Sequence, residues 1–271
     1  MEYPLSLRLS KSPLPNLGRL YHMLNYGYLG QTFGALVAKR HLCYNVLCYV
    51  EDQDDLVVNQ ELLRPDYSYP GLPRTFSVSH DLYSYLRCNS VAADSSRRII
   101  LDCEVAEYMR VVPQNLFAPY AGLPRSQSEL QNASLVPPIF FILRDHSVGL
   151  RLDTARSAES YSPLLLYNDW RPMEGKASIK MRIEWYGYRP WQTQIQLRNR
   201  KKEPITLPRL VQLVASGVDR FLRQEHGPII DYSYPEWRIG ERPYVSPDRV
   251  VLVGVVAASS GSIMPIMRLA D

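Results

Sequence analysis

The most regular hydrophobic pattern in the chain lies in its last third. In SIKMRIEW, Ser178 to Trp185, the apolar residues Ile179, Met181, Ile183 and Trp185 alternate with Lys180, Arg182 and Glu184. A period of two sends these sets to opposite faces of a strand, one buried and one wet. WQTQIQL repeats the alternation through Trp191, Thr193, Ile195 and Leu197, so the two stretches form a hairpin across the turn YGYRP. The period then changes. Leu207, Leu210, Val211, Val214, Val218, Phe221 and Leu222 recur at three- and four-residue intervals, which is one apolar stripe of a helix. Thr206 occupies the capping position, Pro208 falls in the first turn where its missing amide costs little, and Gly227-Pro228 supplies a stop. This spacing predicts a helix over 207–225.

VVLVGVVAASSGSIMPIM, Val250 to Met267, imitates a membrane span, but Ser259, Ser260, Gly261, Ser262 and Pro265 interrupt it. It is read as a strand over 250–256, a small-residue turn and a second strand. Neither the hairpin nor the helix can hide its apolar face alone, so the two pack together with this strand. Earlier in the chain the pattern is less regular. TFSVSHDLYSYLR, from Thr75, reads as a strand leading into a short helix, and His41 to Val50 as a buried strand. Ile99 to Leu101 reads as a strand followed by helix-like spacing to Val112, and Ile139 to Leu143 as core. The turn-rich passage Pro113 to Ser128 is the candidate boundary. The predicted fold class is α+β, an antiparallel hairpin packed with a C-terminal-half amphipathic helix and additional strands. Residues 1–128 form a mixed region and 129–271 an α+β domain containing hairpin 178–197; one integrated domain is the alternative.

The same region carries a resemblance. Ser162-Pro163-Leu164-Leu165, the alternating strand ending near Trp185, Pro190-Trp191-Gln192-Thr193-Gln194-Ile195, and Ile205-Thr206-Leu207 opening a helix that ends Arg220-Phe221-Leu222 follow one another in order. Over about 161–222 this resembles an uncharacterised domain frequent in mushroom-forming (basidiomycete) fungi. Such domains commonly have a β-branched and an acidic residue after the Thr, where this chain has Leu207, Pro208 and Arg209. The resemblance implies a fungal source and a self-contained α+β unit, with no activity or ligand to carry over.

With 46% hydrophobic and 21% charged residues among 271, the composition is that of a folded chain, and 19 Tyr with 21 Pro favour extended segments and rigid turns. The opening MEYPLSLRLSKSP has neither a basic start nor an apolar run, so an intracellular protein is expected, cytoplasm and nucleus undistinguished. Cys43, Cys48, Cys88 and Cys103 make no CxxC pair and read as buried thiols. No motif implies a cofactor or metal.

Charge is concentrated. Lys176 to Lys202 contains eight basic residues against Glu184, whereas the whole chain is only +4, so the remainder is net negative. Lys180, Arg182, Arg198, Arg200, Lys201 and Lys202 are the candidate anion- or partner-binding residues, because clustered cations attract phosphate or carboxylate. Trp185 and Trp191 are in phase with the core. Tyr69, Tyr186, Tyr188 and Tyr234 are the candidate aromatic contacts. Tyr69 and Tyr234 belong to the two copies of DYSYP, Asp66 to Pro70 and Asp231 to Pro235, read as a reused way to leave one element, extend and turn. His80-Asp81 and Asp145-His146 are adjacent pairs, but neighbours on a strand face opposite sides and build no relay by adjacency.

No catalytic motif accompanies this body. The expected function is a non-enzymatic protein working through protein contacts, self-association included. Two alternatives stay open: an enzyme, such as a hydrolase, with distant Cys/His or carboxylate residues converging, and nucleic-acid or other polyanion binding through 176–202.

Overall fold

A computed structural model describes residues 24–39, 41, 75–79, 98–123, 125–134, 136–145, 147–157, 164, 171–173, 175–241 and 244–270. The alternating and continuous apolar runs of the C-terminal third become neighbours in one six-stranded sheet. Its strands are β3 (Ile139–Phe140), β4 (Leu150–Arg151), β5 (Ser178–Ile183), β6 (Trp191–Gln196), β7 (Val250–Ser259) and β8 (Ser262–Leu269). The order is β3-β7-β8-β5-β6, with β4 also on β7. A separate antiparallel pair joins β1 (Thr75–Ser79) to β2 (Arg98–Cys103).

β7 and β8 form the hairpin expected from the apolar run, turning at Ser260-Gly261, and are buried almost throughout. Burial on both sides explains why they read as continuous rather than alternating runs. The register of β7 against β8 shifts between Leu252 and Gly254. The extra residue switches parity, so Val250 and Leu252 and then Val255 reach the same face. β5 runs parallel to β8 and antiparallel to β6, in register from Ser178 with Gln196 to Ile183 with Trp191.

One face of the sheet is covered by α4 (Leu207–Arg220), which continues as a π-helical turn from Phe221 to Glu225. The seven stripe residues of the predicted helix are all buried. The wider final turn keeps both Phe221 and Leu222 inside, and Gly227, at φ 68°, ends the helical run. Thr206 holds the capping position, but its side chain makes no capping bond. α3 (Leu152–Arg156) lies beside α4, tied by Arg156 to Asp219 at 3.0 Å. The opposite face packs on α1 (Tyr28–Phe33), β2 and the segment from Val105 to Phe117. α2 (Arg125–Ser134) reaches the β7–β8 turn, where Glu129 accepts from Ser260 Oγ at 2.8 Å. No helix among the described residues is long and apolar enough to cross a membrane.

Several expectations change. β5 ends at Ile183 instead of Trp185, and the connection to β6 is 184–190, because Trp185 bridges Gln114 and turns into the core. The helix-like spacing before Val112 is irregular chain: Val112 N donates to Met267 O and Leu269 N to Arg110 O, so β8 takes these backbone groups. Within the turn-rich passage, Gln114 is buried and donates to Pro265 O at 2.7 Å while accepting from Glu184 N at 3.2 Å. The polar sequence RSQSELQNAS forms α2 although it lacks an apolar stripe. Of the strand expected over 41–50 only His41 is described, and it is helical; 42–50, the helix after β1, Cys43, Cys48, Cys88 and the first DYSYP lie outside the described residues.

Gly254 shows how closely β3 is seated. A Cβ there would stand 2.5 Å from Ile139 O and 3.2 Å from Phe140 Cα. Both contacts are backbone, so β3 must move. Gly254→Ala is therefore expected to cost about 1–3 kcal/mol, measured as a lower urea midpoint. Unchanged stability would show that β3 is not held against Gly254.

Candidate functional site, an arginine groove

β6 is the last strand in the sheet order of the described residues. Leu197 N donates to Ala177 O at 2.9 Å, which turns the backbone groups of its parity toward β5. In an antiparallel ladder the alternate residues point the other way, so Gln192, Gln194 and Gln196 present their N–H and C=O groups at the outer edge. After β6 the chain reverses through residues 198–204 and enters α4, which crosses the sheet so closely that a Cβ on Gly217 would meet Met181 Cε. Between the β6 edge and α4 opens a groove of about 690 Å³.

Five arginines line it: Arg171, Arg198, Arg200, Arg209 and Arg220. No Asp or Glu lines it among the described residues. Neutral groups position most of these side chains. Arg171 Nη1 donates to Pro204 O at 2.6 Å, Arg198 Nη1 to Lys202 O at 2.9 Å, and Arg209 Nη1 to Gln212 Oε1. Arg220 donates to Thr193 Oγ1 at 2.5 Å, lies over the Trp191 ring, and shares its charge with Glu225 at 3.0 Å. A carbonyl orients a guanidinium without neutralising it, so Arg171 and Arg198 bring their charge into the groove.

The reversing loop is itself held. Asn199 Oδ1 accepts from Lys201 N at 2.9 Å and Glu203 N at 3.0 Å, and Asn199 Nδ2 donates to Glu203 Oε2 at 2.8 Å. Glu203 is thereby spent on the loop. Thr206 lines the groove at the start of α4, whose first turn carries no acidic residue. The helix dipole therefore adds to the arginines with the same sign.

The fold divides the sequence-predicted cations. Arg198 and Arg200 enter the groove; Lys201 and Lys202 stay exposed in the loop, and Lys202 adopts φ 63°. Lys180 and Arg182 lie on the sheet face opposite α4. Arg182 covers the Phe117 ring at 3.6 Å from its centroid and donates to Ser262 Oγ at 3.3 Å, and burial pushes its pKa down. It belongs to the packing of that face. Arg171, Arg209 and Arg220 were not singled out from sequence. A signal existed for two: eleven positions apart on one helix, Arg209 and Arg220 fall on the same face.

The aromatic candidates also separate. Tyr188 is buried, its hydroxyl accepts from Ile239 N at 2.8 Å, and burial raises its pKa, so it is a core residue and not a contact surface. Tyr186 and Tyr234 bring their rings to 4.8 Å, while Tyr232 is exposed. In the second DYSYP, the Ser233 hydroxyl and then its backbone N–H, which donates to Asp231 Oδ1 at 2.9 Å, pull the Asp231 carboxyl pKa down, and Pro235 opens a single 3₁₀ turn. Tyr69 lies outside the described residues.

Catalytic combinations fare differently. Asp145 closes a local turn by accepting from Ser147 N and Oγ, and His80, Asp81 and His146 lie outside the described residues. Cys103 is a buried free thiol whose pKa burial and neighbouring Asp102 push well up, which suppresses the nucleophilic thiolate. No cluster of three metal-ligating side chains occurs among the described residues. No family model, characterised protein or solved structure matches the chain, so the groove is read from its own residues.

Proposed function

We propose that this is a non-enzymatic binding protein that holds an anionic partner in the groove between β6 and α4. The supporting observation is five guanidinium groups around one groove with no lining carboxylate among the described residues. Guanidinium matches carboxylate or phosphate in two parallel hydrogen bonds and stays protonated far above neutral pH. It can bind an anion, but it does not shuttle protons. The described lining contains no Cys or His either, which favours binding over turnover at this place. Self-association through this edge is opposed by charge, since two copies would set arginine against arginine.

The test is fluorescence anisotropy of the full chain with labelled poly-L-glutamate. Replacing Arg198, Arg200 and Arg209 together by Ala is expected to weaken binding at least about tenfold, because each loses charge-assisted hydrogen bonds. Replacing Lys180, Lys201 and Lys202 removes as many charges outside the groove and is expected to leave affinity within about twofold, allowing for screened long-range attraction. Equal losses in the two variants would reduce the effect to net charge and overturn the groove as the site.

A further inference from the structure

We propose that the occupant of the groove is an acidic peptide that binds extended, as an added strand along the outer edge of β6. This rests on the reading of the groove as an anion site and adds what kind of anion it takes. β6 pairs with β5 without a bulge, contains no proline, and carries Gln and Thr where blocked edges carry charges. Natural sheets twist, shorten or charge an edge to prevent pairing. Here the edge itself stays regular, and the charge sits beside it.

The outward N–H and C=O groups of Gln192, Gln194 and Gln196 supply the main-chain bonds of an incoming strand. Six residues of β6 offer a ladder of about 20 Å. Arg220 stands toward one end of it, beside Thr193 and Trp191, and Arg198 and Arg200 follow its other end. Alternate side chains of an added strand face α4, so acidic residues at every second position point into the arginine-lined groove. A second copy of β6 is repelled by the same arginines, which makes the edge selective for an acidic strand. None of the described lining residues is aromatic, so the groove lacks the stacking surface on which single-stranded nucleic acid relies.

The experiment uses the full chain and a labelled octapeptide alternating Glu with Val. Two isomers carry N-methyl groups on one or the other alternate set of backbone nitrogens, so mass and charge are identical. One isomer is expected to bind at least about tenfold more weakly than the unmethylated peptide, through loss of its ladder hydrogen bonds, and the other to bind nearly as well. Gln194→Pro removes one outward N–H and is expected to weaken the peptide similarly while leaving tripolyphosphate binding intact; if this variant misfolds by circular dichroism, the isomer pair still decides. Equal binding by the two isomers overturns strand addition. An oligothymidylate bound through the arginines in place of the peptide also overturns strand addition but leaves the anion site standing. Failure of peptide, poly-L-glutamate, tripolyphosphate and oligothymidylate alike overturns both.

Discussion

Trp185→Ala is expected to destabilise the protein by about 4 kcal/mol, the range for emptying a fully buried large aromatic site. Trp185 is 1% exposed, and its ring centroid lies 6.0 Å from that of Phe221 on the π-helical turn after α4. Its indole Nε1 donates to Trp237 O at 2.7 Å, and its backbone bridges Gln114. One side chain thus joins the end of β5, the helix layer and two loops that approach from opposite directions in sequence. Alanine leaves a cavity and strands the Trp237 carbonyl. Trp185→Phe separates these effects: it fills most of the space but leaves that carbonyl without its donor, for an expected loss of about 1–3 kcal/mol. Equilibrium urea unfolding followed by circular dichroism measures both. Losses below about 1 kcal/mol for the alanine variant would mean that Trp185 does not tie these layers together.

Stability should also fall as pH rises from about 4 to about 8, and Asp102 is the reason. Its carboxyl is fully buried, and desolvation pushes its pKa up to about 8 from the ordinary 3.8. Backbone N–H groups of Cys103 at 2.8 Å and Leu29 at 3.3 Å oppose the shift without cancelling it. Between these values the unfolded chain has released a proton that the folded chain keeps. The contribution is therefore fully present below the unfolded pKa and is lost as pH rises through the folded one, by on the order of a few kcal/mol. Tyr28 beside it is pushed up to about 12, and Cys103 is also raised, so neither titrates in this window. Asp102→Asn keeps the side chain neutral at nearly equal size and should flatten the profile. Urea midpoints at pH 5, 7 and 8.5 for both proteins decide the point; parallel profiles would place the charged carboxylate in the folded protein throughout.

The elements that were legible in the sequence are those whose logic is local. SIKMRIEW and WQTQIQL alternate because one side of β5 and β6 meets α4 while the other carries polar residues that are exposed or, at Arg182, packed on Phe117, and α4 shows its stripe because a single face touches the sheet. The run from Val250 divides at Ser260-Gly261 because a small-residue turn interrupts two strands buried on both sides. α2 was not legible. It has no apolar stripe, and what places it is a contact from Glu129 to a turn 131 positions away.

The site was only half legible, for a related reason. The basic run 176–202 is continuous in sequence, but strand alternation and the end of β6 scatter it: Lys180 and Arg182 to one face, Arg198 and Arg200 to the groove, Lys201 and Lys202 to the loop. Tyr188 reads like its half-buried neighbour Tyr186 until Ile239 and His226 close over it.

By itself the sequence determined β5, β6, α4 and the β7–β8 hairpin, and which face of β5, β6 and α4 is apolar, since periodicity depends only on near neighbours along the chain. The tertiary structure decided that β5 would lie parallel to β8, that the loop after β6 would bring α4 back across the sheet, and that five arginines from three separate segments would surround one groove. Those outcomes depend on pairings between distant residues, where the chain must close long loops before any contact repays the lost entropy.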